Sequence, residues 1–309
     1  EPFFGGGAMY FYLQPEKALI NDISDDLMDF YSLVKEQNLS FRDYLMNYHY
    51  LMTDLLSVCD KYYNEILRFY LSVKNGGTSE KSLEQAIRAF IKEKEKEIFT
   101  VASTKIVVDN SIFEKHLITM VVDKMLRTIK NEQTKPFNDA DLKENLITGF
   151  ISGLYMYFRE VYNDILLNRN CSKDKAYKIA NFYFIREYCY GSMFRYNSKG
   201  EFNIPYGGMS YNRKKLITKI DNIFSKNIEE QFENTDIYCE DFADFIDRID
   251  LSENDFMFID PPYDTDFSDY EGKDFNQNDQ GRLADILIRT KAKFILIIKN
   301  TDFIYSLYK

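Results

Sequence analysis

Histidine is almost missing from this chain. Only His49 and His116 occur in 309 residues, each inside a helix-like stretch, so a histidine-based triad or a histidine metal site has no support. The four cysteines, Cys59, Cys171, Cys189 and Cys239, are scattered without a C-x-x-C pair. That argues against a disulfide framework and a structural zinc, and makes a reducing cytosol the expected setting. No apolar run reaches membrane-spanning length, and no signal peptide is read at the start. Basic charge is also short: 39 Lys and Arg against 49 Asp and Glu give a net charge of −10. This counts mildly against nucleic-acid binding, but a whole-chain sum is a poor guide where binding uses a local cleft. A composition of 45% hydrophobic and 28% charged residues is that of a soluble globular protein, one large domain or two of ordinary size.

What is present begins with Asp260-Pro261-Pro262-Tyr263, directly after the apolar run Phe256-Met257-Phe258-Ile259. The plain alternative is a turn that ends a strand. The chemical reading is a rigid acceptor loop, since two prolines fix φ and supply no N–H donor. An exocyclic amino nitrogen on a purine is a poor nucleophile because its lone pair is delocalised into the ring. If Asp260 and the carbonyl of Pro261 accept its two hydrogens, the lone pair localises and can attack an electrophilic methyl group. Tyr263 can then stack on a base that has left its duplex.

A second element opens the chain: Glu1-Pro2-Phe3-Phe4-Gly5-Gly6-Gly7-Ala8, then the strand-like Lys17-Ala18-Leu19-Ile20-Asn21-Asp22. Three glycines allow close backbone approach to a ligand, though such a loop alone is a weak signal. An acid at the tip of the second strand is where α/β nucleotide folds hold a ribose; the plain alternative for Asp22 is a helix N-cap. The glycines do not fit G-x-G-x-x-G, so S-adenosylmethionine is expected over NAD, with no metal.

These stretches resemble the Dam-type adenine-specific DNA methyltransferases. Two further segments carry the resemblance. Tyr188 to Gly207, with the core Arg195-Tyr196-Asn197-x-x-Gly200-Glu201-Phe202-Asn203-x-Pro205-x-Gly207, is similar to that family's target-recognition hairpin. Ile237-Tyr238-Cys239-Glu240-Asp241-Phe242-Ala243 resembles its motif before the catalytic strand. The resemblance implies N6 methylation of adenine in duplex DNA with base flipping. Phe3, Gly5, Gly7, Asp22, Asp241, Phe242 and Asp260 would contact the methyl donor. Asp260, Pro261, Pro262 and Tyr263 would be catalytic. On DNA, Arg195 would read a guanine edge, Asn197 and Asn203 would contact phosphates, and Tyr190 would wedge into the vacated stack. A basic window of Arg195, Lys199, Arg213, Lys214, Lys215 and Lys219 is available, or is a solvated helix face. The chain departs from the family at Tyr190-Gly191-Ser192, where Dam has Tyr-Asn-Gly, and at Gly208-Met209, where Dam has Arg-Tyr. The GATC target is thereby left open.

The resemblance also implies a Rossmann-like methyltransferase sheet with the ligand at the carboxyl ends of its strands. The expected division is a catalytic domain over 1–35 and 221–309, an enlarged helical insert over 36–185 and a recognition region over 186–220. Strands are expected at 17–22, 236–239, 256–259 and, buried, at 293–299; helices at 142–167, 211–230 and 278–290. Family members continue beyond both ends, so a fragment of a longer protein is expected. Two other functions remain open: an RNA adenine methyltransferase, and an inactive module that binds DNA or a cognate restriction endonuclease. No membrane partner is expected, and the expected setting is cytoplasmic.

Overall fold

The computed structural model describes residues 1–169, 173–263 and 275–309; Cys171 lies outside them. In chain order the elements are α1 (Ala8–Leu13), β1 (Ala18–Asn21), α2 (Asp25–Lys35), α3 (Leu39–Lys61), α4 (Tyr63–Lys74), α5 (Glu80–Glu93), α6 (Glu95–Ile98), α7 (Val101–Ile106), α8 (Asn110–Glu132), α9 (Asp139–Leu166) and α10 (Lys175–Tyr188). After the segment 189–215 come α11 (Leu216–Ile223), α12 (Lys226–Glu233), β2 (Thr235–Tyr238), α13 (Phe242–Arg248), β3 (Phe256–Ile259), α14 (Gln277–Arg289), β4 (Lys293–Leu296) and α15 (Asp302–Leu307). They form two compact units. The first comprises Glu1–Asn38, Phe194–Gly200 and Asn222–Lys309; the second, Leu39–Met193 and Glu201–Asp221.

The first unit is mixed α/β. β1 pairs in parallel with β2, from Ala18↔Thr235 to Asn21↔Tyr238. β3 pairs in parallel with β4, from Phe256↔Lys293 to Ile259↔Leu296. These are two separate two-stranded sheets among the described residues, where one larger sheet was expected. Parallel neighbours need a crossover, and α14 supplies the one between β3 and β4. Both pairs pack on a common apolar core of Phe242, Phe245, Met257, Ile259, Leu283 and Leu287, with Leu19 and Leu296 against it. Caps fix where the helices begin. The Ser24 side chain accepts from Leu27 N–H, with Asp25 and Asp26 in the first turn of α2; Asn276 and Asp279 form a reciprocal capping box on α14.

The second unit is helical. Its longest helix, α9, lies so close to α8 that a Cβ on Gly153 would stand 2.7 Å from the Leu117 Cα, which only glycine permits. Phe150, Tyr155, Tyr157, Phe158 and Tyr162 of α9 are buried, core aromatics as their helical spacing suggested. No helix among the described residues is long and apolar enough to cross a membrane.

Two expectations need correction. The helix expected over 211–230 is broken: a short 3-10 turn at Met209–Tyr211 precedes α11 and α12. Asn212, fully buried, is pinned by its amide to Glu144 and Thr148, and Ser225 starts a new helix by capping Ile228 N–H. The last strand is not buried. Phe294 and Ile295 are 39% and 47% exposed, because β4 has only β3 beside it among the described residues. In the recognition segment an antiparallel bridge joins Cys189 and Tyr206.

Candidate active site

The glycine loop is folded by its own side of the first unit. Phe4 N–H donates to the Asn21 carbonyl at 2.8 Å, and Gly7 N–H closes a turn on the Phe4 carbonyl at 2.8 Å. Gly7 caps α1 with φ +66. A Cβ there would stand 2.6 Å from the Phe4 ring, whereas one on Gly5 or Gly6 would meet nothing within 4 Å. The loop therefore turns an open backbone face outward at Gly5 and Gly6.

Asp22 follows β1 and is not a helix cap; Ser24 takes that role. One Asp22 oxygen accepts from Gly5 N–H at 2.9 Å and the other from Ser24 N–H at 3.1 Å. The carboxylate ties the glycine loop to the end of β1 and keeps acceptor capacity for further donors. Tyr31 donates its hydroxyl to the Gly5 carbonyl at 3.0 Å, securing the loop from α2.

Asn21, one residue earlier, carries no signal in a sequence window. It is fully buried. Its Nδ2 donates to the carbonyls of Pro2 and Glu240, both at 3.1 Å, and its Oδ1 accepts from Glu240 N–H at 3.0 Å. One amide thus joins the opening loop to the loop after β2.

That second loop presents Asp241 and Phe242. Asp241 caps α13 through Ala243 N–H at 2.9 Å and receives both Arg282 nitrogens, at 2.6 and 3.2 Å. Burial pushes the Asp241 carboxyl up, but the Arg282 and backbone hydrogen bonds outweigh it and hold it below the usual value. Arg282 also faces the Phe242 ring at 4.9 Å. Phe242 is buried, with Phe3 at 5.1 Å and Phe275 at 5.6 Å between ring centroids. Phe3 and Phe242 together make an aromatic wall. Arg282, 41 residues from Asp241, was not anticipated.

Asp260 leaves the end of β3 with an exposed side chain, and Pro261 is buried. Among the described residues the Pro261 carbonyl has no partner. The Tyr263 hydroxyl donates to Asp260 Oδ1 at 3.3 Å, and the adjacent carboxylate raises the phenol above its ordinary value. The Pro262 carbonyl is held from beneath. Gln280 of α14, fully buried, donates Nε2 to it at 3.1 Å, while its Oε1 is buried without a partner. Asp22, Asp241 and Asp260 thus stand after the carboxyl ends of β1, β2 and β3, where open α/β sheets bind their ligands.

The expected DNA-contacting residues divide between the units. Arg195 and Asn197 belong to the first, Tyr190 and Asn203 to the second. Arg195 is exposed, and Tyr190 is 58% exposed. Asn197 opens a tight turn: its carbonyl accepts from Gly200 N–H and its Oδ1 from Lys199 N–H, both at 2.9 Å. Asn203 has its Oδ1 buried and unpartnered. In the basic window two cations are already committed. Arg213 grips Asp60 at 2.7 Å and Glu144 at 2.6 Å, and Lys214 pairs with Glu187 at 2.7 Å. Among the described residues no group of His, Cys, Asp and Glu side chains could hold a metal ion.

Comparison with known proteins places this geometry in context. The family model for the D12 class N6 adenine-specific DNA methyltransferases matches residues 1–309. The chain is 29% identical over 210 residues to Type II methyltransferase M.MjaIII of Methanocaldococcus jannaschii, covering 64% of this chain and 70% of that protein. It is 35% identical over 133 residues to Type II methyltransferase M.CviBI of Paramecium bursaria Chlorella virus NC1A, covering 42% and 47%. It is 31% identical over 137 residues to the Retron Ec67 DNA adenine methylase of Escherichia coli, covering 43% and 45%. The chain thus spans just under half the length of the last two.

Proposed function

The chain belongs to the D12 class of N6 adenine-specific DNA methyltransferases, and from that premise we propose that it methylates the N6 nitrogen of a flipped-out adenine in duplex DNA, with S-adenosylmethionine as donor. The observation that carries this is the acceptor pair at the end of β3: the exposed Asp260 carboxylate and the Pro261 carbonyl, which has no partner among the described residues. Both hydrogens of the target amino group would be accepted there, which frees its lone pair. Tyr263, 43% exposed, offers a ring for the base. Pro262, held by Gln280, keeps the loop stiff, so positioning supplies most of the rate.

S-adenosylmethionine, when bound, supplies an electrophilic methyl group on a sulfonium centre. The residues present suit it. Gly5 and Gly6 leave room for its methionine end, and Gly7 sets the turn. Asp22 retains capacity for two ribose hydroxyls. Phe3 and Phe242 form the wall for its adenine, and Asp241 lies beside them. The two parallel pairs are read as parts of a Rossmann-like sheet in a catalytic domain over 1–35 and 221–309. Residues 36–185 are then the helical insert and 186–220 the recognition region, where Arg195 reads a guanine edge, Asn197 and Asn203 donate to phosphates, and Tyr190 fills the vacated stack. A partner restriction endonuclease and a cytoplasmic place of action belong to the same reading; two relatives bear the name type II methyltransferase.

The test is transfer of labelled methyl from S-adenosylmethionine to unmethylated duplex DNA, with products resolved as nucleosides by mass spectrometry. N6-methyladenine that disappears in Asp260→Ala is expected. Transfer to RNA but not DNA would move the assignment to an RNA enzyme. A folded protein that binds DNA but not the donor would make it a binding module.

A further inference from the structure

The segment Glu201–Gly207 is extended, with Phe202, Ile204 and Tyr206 buried on one side and Glu201, Asn203 and Pro205 on the other. It carries half of the recognition core. Near its end, Tyr190 N–H donates to the Pro205 carbonyl and Gly207 N–H to the Tyr188 carbonyl, both at 2.9 Å. Main-chain groups of Phe202, Asn203 and Ile204 are met by side chains of α9. Tyr155 donates its hydroxyl to the Ile204 carbonyl at 2.9 Å. Arg159 donates one nitrogen to the carbonyls of Asn203 and Ile204, both at 3.2 Å. Asn163 donates Nδ2 to the Phe202 carbonyl at 3.1 Å and accepts from Phe202 N–H at 2.8 Å.

These three residues lie at i, i+4 and i+8, one above another on a single helix face. They hold three consecutive residues by their main-chain groups. Tyr155 is fully buried, so its hydroxyl has no other work in view. Asn163 matches donor to carbonyl and acceptor to N–H of the same residue, which fixes register and not merely proximity.

We propose that Tyr155, Arg159 and Asn163 are positioning residues for target recognition, clamping 202–204 so that the helical insert sets how the recognition segment meets DNA. The proposal rests on the reading that 188–207 is the DNA-recognition segment. It assigns the insert a part in specificity, exerted through backbone and without contact to the base.

The test uses the full chain and duplex oligonucleotides bearing the site mapped by its own adenine methylation, with single-base variants of that site. Asn163→Leu keeps the branching and heavy-atom count and removes both backbone bonds. It should raise KM for duplex and shrink the discrimination ratio, each by roughly five- to tenfold, with donor affinity within about twofold. Tyr155→Phe, which only removes a hydroxyl, should move both in the same direction by less. If Asn163→Leu fails to fold, the Tyr155→Phe result decides. Unchanged KM and discrimination in these variants, with Arg195→Ala still relaxing sequence choice, would overturn the clamp. If Arg195→Ala leaves discrimination intact while Asn163→Leu raises KM for duplex, the clamp stands and the assignment of Arg195 falls.

Discussion

Asn21 provides the sharpest test of how the proposed donor pocket is held together. Asn21→Leu replaces the amide by an apolar group of the same branching and leaves three main-chain groups without partners: the carbonyls of Pro2 and Glu240 and the N–H of Glu240. Each buried, unpaired group costs about 1–3 kcal/mol. Some will find water once the loop loosens, so a net loss of about 2–4 kcal/mol is expected. For a unit of this size that lowers the unfolding midpoint by on the order of 10 °C. The freed groups lie in the glycine loop and beside Asp241, so donor affinity should fall by at least roughly tenfold. kcat at saturating donor should be little changed, because Asp260 is untouched. Asn21→Asp is the stricter probe, since it changes one atom and turns the donor that faces two carbonyls into a charged acceptor. It should be at least as damaging as leucine. The assays are thermal unfolding and donor titration by calorimetry. A midpoint and donor affinity in Asn21→Asp equal to the unaltered chain would refute the clamp.

Three other outcomes follow from the same geometry. Gly7→Ala should destabilise the first unit by about 1–2 kcal/mol for the left-handed backbone alone, plus displacement of the Phe4 ring, while Gly6→Ala should be neutral; equal midpoints would contradict the loop geometry. Arg282→Gln should lower the unfolding midpoint in a pH-dependent way. The Asp241 carboxyl is depressed below its ordinary 3.8, so its pairing stabilises above that pH and is lost as pH falls through the depressed value. The gap between the two proteins should be full near neutrality and close as pH falls through the depressed value; a gap independent of pH would show that Arg282 acts by packing alone. Gln280→Leu removes both an unpartnered buried oxygen and the donor to Pro262. Stability should hold or rise by up to about 1 kcal/mol while kcat drops roughly tenfold, and unchanged kcat would remove Gln280 from the support of the acceptor loop.

The amino-acid order by itself determined the local features. Short apolar runs placed β1, β2, β3 and β4 within a residue or two at their starts, because a strand core and its flanking breakers fit in one window. Gly5-Gly6-Gly7 and Asp260-Pro261-Pro262-Tyr263 marked a turning loop and a stiff strand end through backbone restriction alone. The aromatic face of α9 was legible from its helical period. What the fold alone decided are the contacts that join distant residues: Asn21 to Glu240, Arg282 to Asp241, Gln280 to Pro262, and Asn163 to Phe202. The exposure of β4, the separation of the strands into two pairs and the commitment of Arg213 to Asp60 and Glu144 belong with them. The reason is physical. Propensity, periodicity and turn chemistry act over a few residues, whereas a polar side chain inside a fold must find whichever backbone group the packing leaves unpaired, and only the packed chain brings that group within reach.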